Sequence, residues 1–449
     1  MKKRALIVLL IAVCGSFALA AALIVPRFNT DKAATADKSW SAPRLLPRHE
    51  SLGTADERAQ VAGMFDRSNA ALKENPFDTK ALLTLAEVYM NEARVTGEHP
   101  YYYPAALEVL DRVLSAGHIN KDETYQAMYM KASVQLSLHQ FDKALVTGQD
   151  ASGLNPYDAG IYGVLVDANV ELGNYAKAVE MSDKMVSVRP DLRSYSRISY
   201  LREIHGEIEG AFDAMQMAVT AGYPGYEQSA WCRVTLGNLY ERYGDLDKAA
   251  MNYQIVLQER KDFPFAIAGL ASVEAKRGNT DAAMDLLDRA AKIIPEVSFT
   301  LQKARLLKSI GNEQEAKRLA EESLVMMQED TDKGHKMDLE LAHVYLDLLG
   351  DARTALQFAK TEYAARPNNI DVNKMMASAS YVLGDYNQAS THIAAARATG
   401  SHDPETLLIA GLLQHQQGNK GEGRALIKEA FERNPYLQGP LVSQGLALI

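Results

Sequence analysis

Residues 159–192 read AGIYGVLVDANVELGNYAKAVEMSDKMVSVRPDL, and this stretch decides the fold. Tyr162, Leu165 and Val166 share one helical face at i, i+3 and i+4. Gly173 ends that helix, because a glycine just past the last turn takes the left-handed cap conformation without a steric penalty. Asn174 and Tyr175 make the turn, and Ala178, Met181, Met185 and Val186 give a second helix its apolar face. Pro190 closes the unit, since the residue before a proline is pushed out of the helical region. Ala178 is small where the two helices of the hairpin cross, and a larger side chain there would hold them apart.

The same punctuation recurs in both directions. Gly173, Gly206, Gly244, Gly278, Gly311, Gly350, Gly384 and Gly418 follow one another at intervals of about 34 residues. Five residues after each comes a small side chain: Ala178, Ala211, Ala249, Ala283, Ala316, Ala355, Ala389 and Gly423. Pro190, Pro295 and Pro435 occupy one common closing position. A phase-locked period of this length predicts one helix–turn–helix unit copied many times. Each unit packs only on its neighbours, so a chain of 449 residues needs no division into separate globular cores.

The pattern resembles the tetratricopeptide repeat (TPR) family. Residues 230–263 carry its positions as Leu236-Gly237, Tyr240, Gly244, Ala249 and Tyr253, and residues 264–297 as Leu270-Ala271, Gly278, Ala283 and Pro295. Residues 125–158, with His139 in the glycine slot, 192–225, 370–403 and 404–437 repeat it. Residues 79–116, 297–328 and 335–368 are further copies, so that about ten units span 79–437. The resemblance implies an all-α, right-handed superhelical solenoid. It also implies that the first helix of each unit lines the concave face. Carrying over the family's inward positions points to Tyr129, Asp167, Arg193, Tyr200, Glu203, Trp231, Asn238, Glu241, Phe265, Arg305, Lys308, Lys374 and Tyr381. Arg193, Tyr200, Trp231, Asn238 and Phe265 form the candidate binding group, with Tyr129 and Tyr381 beside it. Aromatic and mixed polar side chains on an inner surface suit an extended peptide. The Lys/Asn clamp of chaperone-binding members is not matched, because those slots hold residues such as Gly163 and Asp167.

The flanks divide the rest. Lys2, Lys3 and Arg4 precede an apolar run over residues 5–25, long enough to cross a bilayer as one helix. Positive charge before it leaves the repeats on the far side of the membrane. Three fates fit residues 1–27: an uncleaved inner-membrane anchor, a signal removed near Ala20, or a lipoprotein site at Cys14. All three export the repeats to the periplasm. Residues 28–54, with Pro43 and Pro47, read as a solvated linker; residues 55–78 as a capping helix; and residues 438–449 as a C-terminal cap.

Three places break the period. The first unit carries extra residues between its helices, residues 94–103, which include Tyr101, Tyr102 and Tyr103. They are a plug for the hairpin or an aromatic contact loop for a peptide or sugar. Residues 221–228 and the charged residues 328–336 are the others, the latter read as a solvated loop or a hinge.

The bulk numbers narrow the function. The chain has a formal net charge of −9, and its first 30 residues hold only basic charges, so the repeats are acidic and unsuited to nucleic acid. The two cysteines, Cys14 and Cys232, make no disulfide framework. No phosphate loop, HExxH, CxxC or nucleophile elbow is present, so no cofactor, metal or catalytic residue is expected. The expectation is a non-enzymatic extracytoplasmic scaffold that binds a partner protein or peptide in its concave groove. A self-assembling envelope protein (a homo-oligomer) and a polysaccharide-binding component are the alternatives.

Overall fold

The computed structural model describes residues 40–449, and the segment read as an anchor or signal and the first part of the expected linker lie outside them. The chain folds into α1 (Ala55–Glu74), α2 (Thr79–Thr96), α3 (His99–Ser115), α4 (Lys121–Ser137), α5 (Phe141–Leu154), α6 (Ala159–Glu171) and α7 (Tyr175–Val188). There follow α8 (Leu192–Ile204), α9 (Ile208–Ala221), α10 (Glu227–Arg242), α11 (Leu246–Glu259), α12 (Pro264–Lys276), α13 (Thr280–Ile293), α14 (Val297–Ser309) and α15 (Glu313–Asp332). The last are α16 (Asp338–His343), α17 (Ala352–Ala365), α18 (Ile370–Val382), α19 (Tyr386–Ala396), α20 (Pro404–Gln416), α21 (Lys420–Arg433) and α22 (Val442–Leu446). Among the described residues there is no strand.

Helices α2 to α21 pair into ten hairpins, each an inner helix followed by an outer one. The caps are local. Asp78, Asn120, Asp158, Asp191, Asn369 and Asp403 accept amide hydrogen bonds at the starts of inner helices. Gly173 ends α6 with φ 76°, in the left-handed region. Ala178, Ala211, Ala249, Ala283, Ala316, Ala355 and Ala389 are all fully enclosed at their helix crossings. In the last hairpin a β-carbon on Gly423 would stand 2.7 Å from the Gly411 carbonyl oxygen, so this crossing is too tight even for alanine.

Two of the three breaks in period resolve differently from their sequence reading, while residues 222–226 form a loop between hairpins. The additional residues of the first unit lengthen both helices instead of forming a loop. Tyr101, Tyr102 and Tyr103 lie in the first turns of α3, with Tyr102 and Tyr103 buried. Residues 328–332 continue α15 as helix. A π-turn over Val344–Leu348 extends α16 and takes up another part of the long spacing before Gly350.

Residues 40–53 are docked, not solvated. Trp40 Nε1 donates to Glu108 and its ring stacks under Arg112 at 4.2 Å. The Leu46 amide donates to the Tyr102 hydroxyl at 2.8 Å, and the Tyr101 hydroxyl donates to the Arg44 carbonyl at 2.8 Å. Leu52 is buried in the core formed by α12 and α13. At the other end α22 packs on α20, with Leu441 and Gly445 buried.

Ten hairpins coil through two superhelical turns, and the second turn sits directly on the first. The contacts join residues about 195 positions apart, and all but the Glu57–Arg260 pair, which starts from α1, link an inner-to-outer turn to a loop between hairpins. Glu57 pairs with Arg260 at 3.1 Å. Gly97 lies against Ile294 and Pro295. The Lys336 amide donates to the Leu138 carbonyl at 3.1 Å, and Gln140 donates to Gly334 O at 2.8 Å. Arg366 pairs with Glu171, Asn369 donates to Glu171 O at 2.9 Å, and the Ile370 amide donates to the Tyr175 hydroxyl at 2.8 Å. Gly206 faces the Gly400 carbonyl. Asn434 donates to the Arg242 carbonyl at 3.0 Å. We call this line of contacts the seam. His139 takes the glycine slot at φ 53°, and its ring Nδ1 bonds the Lys336 carbonyl across the seam at 2.9 Å. A seam contact there offsets a backbone position that glycine would occupy more easily.

Candidate functional site

The inner helices of consecutive hairpins line the concave side of the superhelix. Two adjoining hollows of about 400 and 390 Å³ open on it. The first is lined by Asp167, Glu171, Arg197, Tyr200, Glu203, Asn238 and Arg242. The second is lined by Trp231, Asn238, Glu241, Arg242, Phe265, Ser272, Lys276, Phe299 and Gln302. Asn238 and Arg242 belong to both, so the hollows form one continuous stretch of wall.

Charge on this wall is paired from one unit to the next. Arg197 Nε bonds Asp167 at 2.8 Å, Arg242 pairs with Glu203, and Lys276 meets Glu241 at 2.6 Å. Burial works against the Arg197 charge, but the Asp167 carboxylate outweighs it and holds the guanidinium pKa above its ordinary value. Lys374, further along, stands among Asp371, Asp403 and Glu405 at 3.3–3.5 Å. Burial opposes its charge too, and the three carboxylates overcome that and raise its pKa well above the usual lysine value. Arg197, Arg242 and Lys276 are thus each matched by one carboxylate, whereas the cluster around Lys374 carries more acid than base.

The second hollow combines aromatic faces with amides. Trp231 and Phe265 have ring centroids 4.4 Å apart, and Phe265 meets Phe299 edge-on at 5.4 Å. Phe299 is fully buried behind them, while Trp231 and Phe265 are half-buried and face the hollow. Tyr253, on outer helix α11, reaches through to the wall. Its hydroxyl lies 2.7 Å from Asn238 Oδ1 and donates to Glu241 at 2.9 Å. It fits because Gly237 and Gly269 have no side chain; a β-carbon on Gly269 would stand 2.6 Å from the Tyr253 ring. Among the described residues the buried Gln302 Oε1, beside the aromatic group, has no hydrogen-bond partner.

Of the sequence-predicted group, Tyr200 and Asn238 meet in the first hollow, and Trp231, Asn238 and Phe265 in the second. Asp167, Glu203 and Glu241 line the wall with them. Arg193 lies outside both hollows, held 3.6 Å from its capping residue Asp191. Tyr129 stacks on Tyr125 with centroids 6.3 Å apart. Tyr381 is buried and accepts a hydrogen bond from Gln444 of the C-terminal cap. Tyr101, Tyr102 and Tyr103 are engaged by the N-terminal segment and the first hairpin, which removes the exposed aromatic loop. Arg197, Arg242, Lys276 and Gln302 were missed. They stand one residue beyond the inward positions carried over from the family, so the wall is a stripe two residues wide. Among the described residues no helix is long and apolar enough to cross a membrane.

Known proteins carry the same repeat. A tetratricopeptide repeat family model matches residues 234–297 and 374–437. No curated protein sequence matches the chain. Similar solved structures include a thermophilic TPR protein from Thermus thermophilus, 22% identical, covering 43% of this chain and 98% of that one at a TM-score of 0.38. PilF of Pseudomonas aeruginosa is 16% identical, with 53% and 99% covered and a TM-score of 0.37. A tetratricopeptide repeat protein from Parabacteroides merdae is 15% identical, with 57% and 98% covered and a TM-score of 0.35. The matched segments comprise α10 to α13 and α18 to α21, and the hairpins of α6 to α9 and α14 to α17 keep the same glycine and alanine register. Residues 234–297 and 374–437 thus carry tetratricopeptide repeats.

Proposed function

We propose that this chain is a non-enzymatic scaffold that holds an extended segment of a partner protein along the inner wall, outside the cytoplasm. One observation carries this: the half-buried Trp231–Phe265 pair beside Asn238 and Gln302, facing a preformed hollow. Rigid aromatic faces anchor a side chain, and amides at fixed positions meet a peptide backbone. Little ordering is required of the scaffold, because the ion pairs already hold the wall. The basic start and apolar run of residues 2–25 support an anchor or export signal that delivers the repeats across the inner membrane. With Tyr101, Tyr102 and Tyr103 engaged inside the fold, the polysaccharide reading loses its surface.

The test is selection of a displayed peptide library on the full-length chain, with affinities of the selected peptides then measured by calorimetry. Asn238→Ala with Gln302→Ala should weaken binding about tenfold or more, equivalent to about 1.4 kcal/mol. Glu180→Ala, on an outer helix, should leave it unchanged. Peptides that bind both variants equally well would remove the inner wall as the site.

A further inference from the structure

The seam has two free counterparts. Inner-to-outer turns of the first superhelical turn are covered by loops of the second: a β-carbon on Gly206 would stand 2.6 Å from the Gly400 carbonyl oxygen, and one on Gly244 would stand 2.9 Å from Pro435. The equivalent turns of the second superhelical turn, at Gly278, Gly311, Gly350, Gly384 and Gly418, have open space above them. The residue before the glycine is enclosed or half-covered in the seam, as Leu138 and Leu172 are. On the open rim the same position leaves Ile310 53% and Leu383 41% exposed, and Tyr386 stands nearby. The opposite rim consists of inter-hairpin loops of the first turn, the class of loop that fills the seam inside the chain. There Tyr157, Tyr223 and Tyr226 are 85%, 77% and 68% exposed.

We propose that these rims bind each other between molecules: a second copy of this chain sets its Tyr157–Tyr223–Tyr226 rim on the Ile310–Leu383–Tyr386 rim of the first, which continues the seam head to tail. The occupant is a second copy because the same kind of loop already covers the same kind of turn five times over in the fold. The two surfaces differ, so the contact is heterologous; it leaves a free rim at each end and builds rows instead of closed dimers.

Sedimentation velocity of the full-length chain in mild detergent tests this. The wild-type mass should rise with concentration. Leu383→Asp with Ile310→Asp should stay monomeric, as should Tyr223→Asp with Tyr226→Asp; all four side chains are exposed, and circular dichroism checks that the helices persist. An equimolar mixture of the two variants should recover dimers and stop there, because each variant retains one intact rim. A wild-type mass that does not change up to roughly 100 μM would overturn the proposal. So would association that ignores both rim variants, or that is lost only on Met217→Asp on an outer helix.

Discussion

Gly173→Ala and Gly384→Ala place the same substitution at the same repeat position, with φ 76° and 79°, but only Gly173 lies in the seam. Alanine in the left-handed region costs about 1–2 kcal/mol at either site. At Gly384 that is the whole effect, because the new methyl meets open space. At Gly173 the methyl would stand 2.6 Å from the Asn368 carbonyl oxygen, a backbone atom that cannot rotate away. Relieving that overlap adds about 1–3 kcal/mol of overpacking or forces the layers apart. Parting them endangers the Asn369 and Ile370 hydrogen bonds across the seam, about 1 kcal/mol each. Gly173→Ala should therefore cost about 2–5 kcal/mol, against about 1–2 for Gly384→Ala. A repeat array need not unfold in one step. The assay is accordingly amide exchange by mass spectrometry alongside the thermal midpoint. The Ile370 amide, which donates across the seam, should lose protection in Gly173→Ala and keep it in Gly384→Ala. Equal losses of stability with Ile370 protected in both would refute the stacked arrangement.

Three further outcomes follow from named contacts. Arg366→Ala removes the partner of buried Glu362 and of Glu171 and should cost about 3–5 kcal/mol in urea titration; Arg366→Met with Glu362→Leu should recover most of it. Gly269→Ala drives a methyl into the Tyr253 ring and should lower the unfolding free energy measured in urea by about 1–3 kcal/mol, although alanine is the better helix former. Burial, then the neighbouring His139 and His99, hold the His335 pKa down at about 3. The folded ring stays neutral while the unfolded ring takes a proton near pH 6.5, so its contribution is full above pH 6.5 and is lost as pH falls towards 3, at about 1 kcal/mol per unit or less. Asp330, its carboxyl pushed up to about 6 by burial, works in the opposite direction. His335→Leu keeps that opposing group, so its thermal midpoint should drop less than the wild type's between pH 7 and pH 5.

The hairpins were legible because their causes are local. A glycine at a left-handed cap, an alanine at a crossing and a proline at a helix end each act within one unit. The inner wall was legible to the extent that one helical stripe is: Tyr200, Trp231, Asn238 and Phe265 fall where the spacing puts them, while Arg197 and Arg242 lie on its second row. The tyrosine triplet was misplaced because extra residues can lengthen two helices as well as build a loop, and local spacing does not separate those outcomes. Residues 40–53 have no period of their own, and the partners that dock them, Tyr102 and Glu108, lie far along the chain. The seam was invisible for a related reason. It depends on small rotations summed over five or six units, and nothing in the sequence around Gly173 and Gly384 says that one is covered and the other open.

Zero-length carbodiimide crosslinking tests the stacked superhelix most directly, because it joins a lysine to a carboxylate only when they touch. Lys336 and Asp142, on opposite sides of the seam, stand 3.5 Å apart. In dilute full-length protein, mass spectrometry should recover the peptide pair joining them within one chain, together with the local pair Lys131–Asp111 at 2.6 Å. Recovery of the local pair without Lys336–Asp142 would mean that the second turn does not rest on the first and that the inner wall faces an open groove.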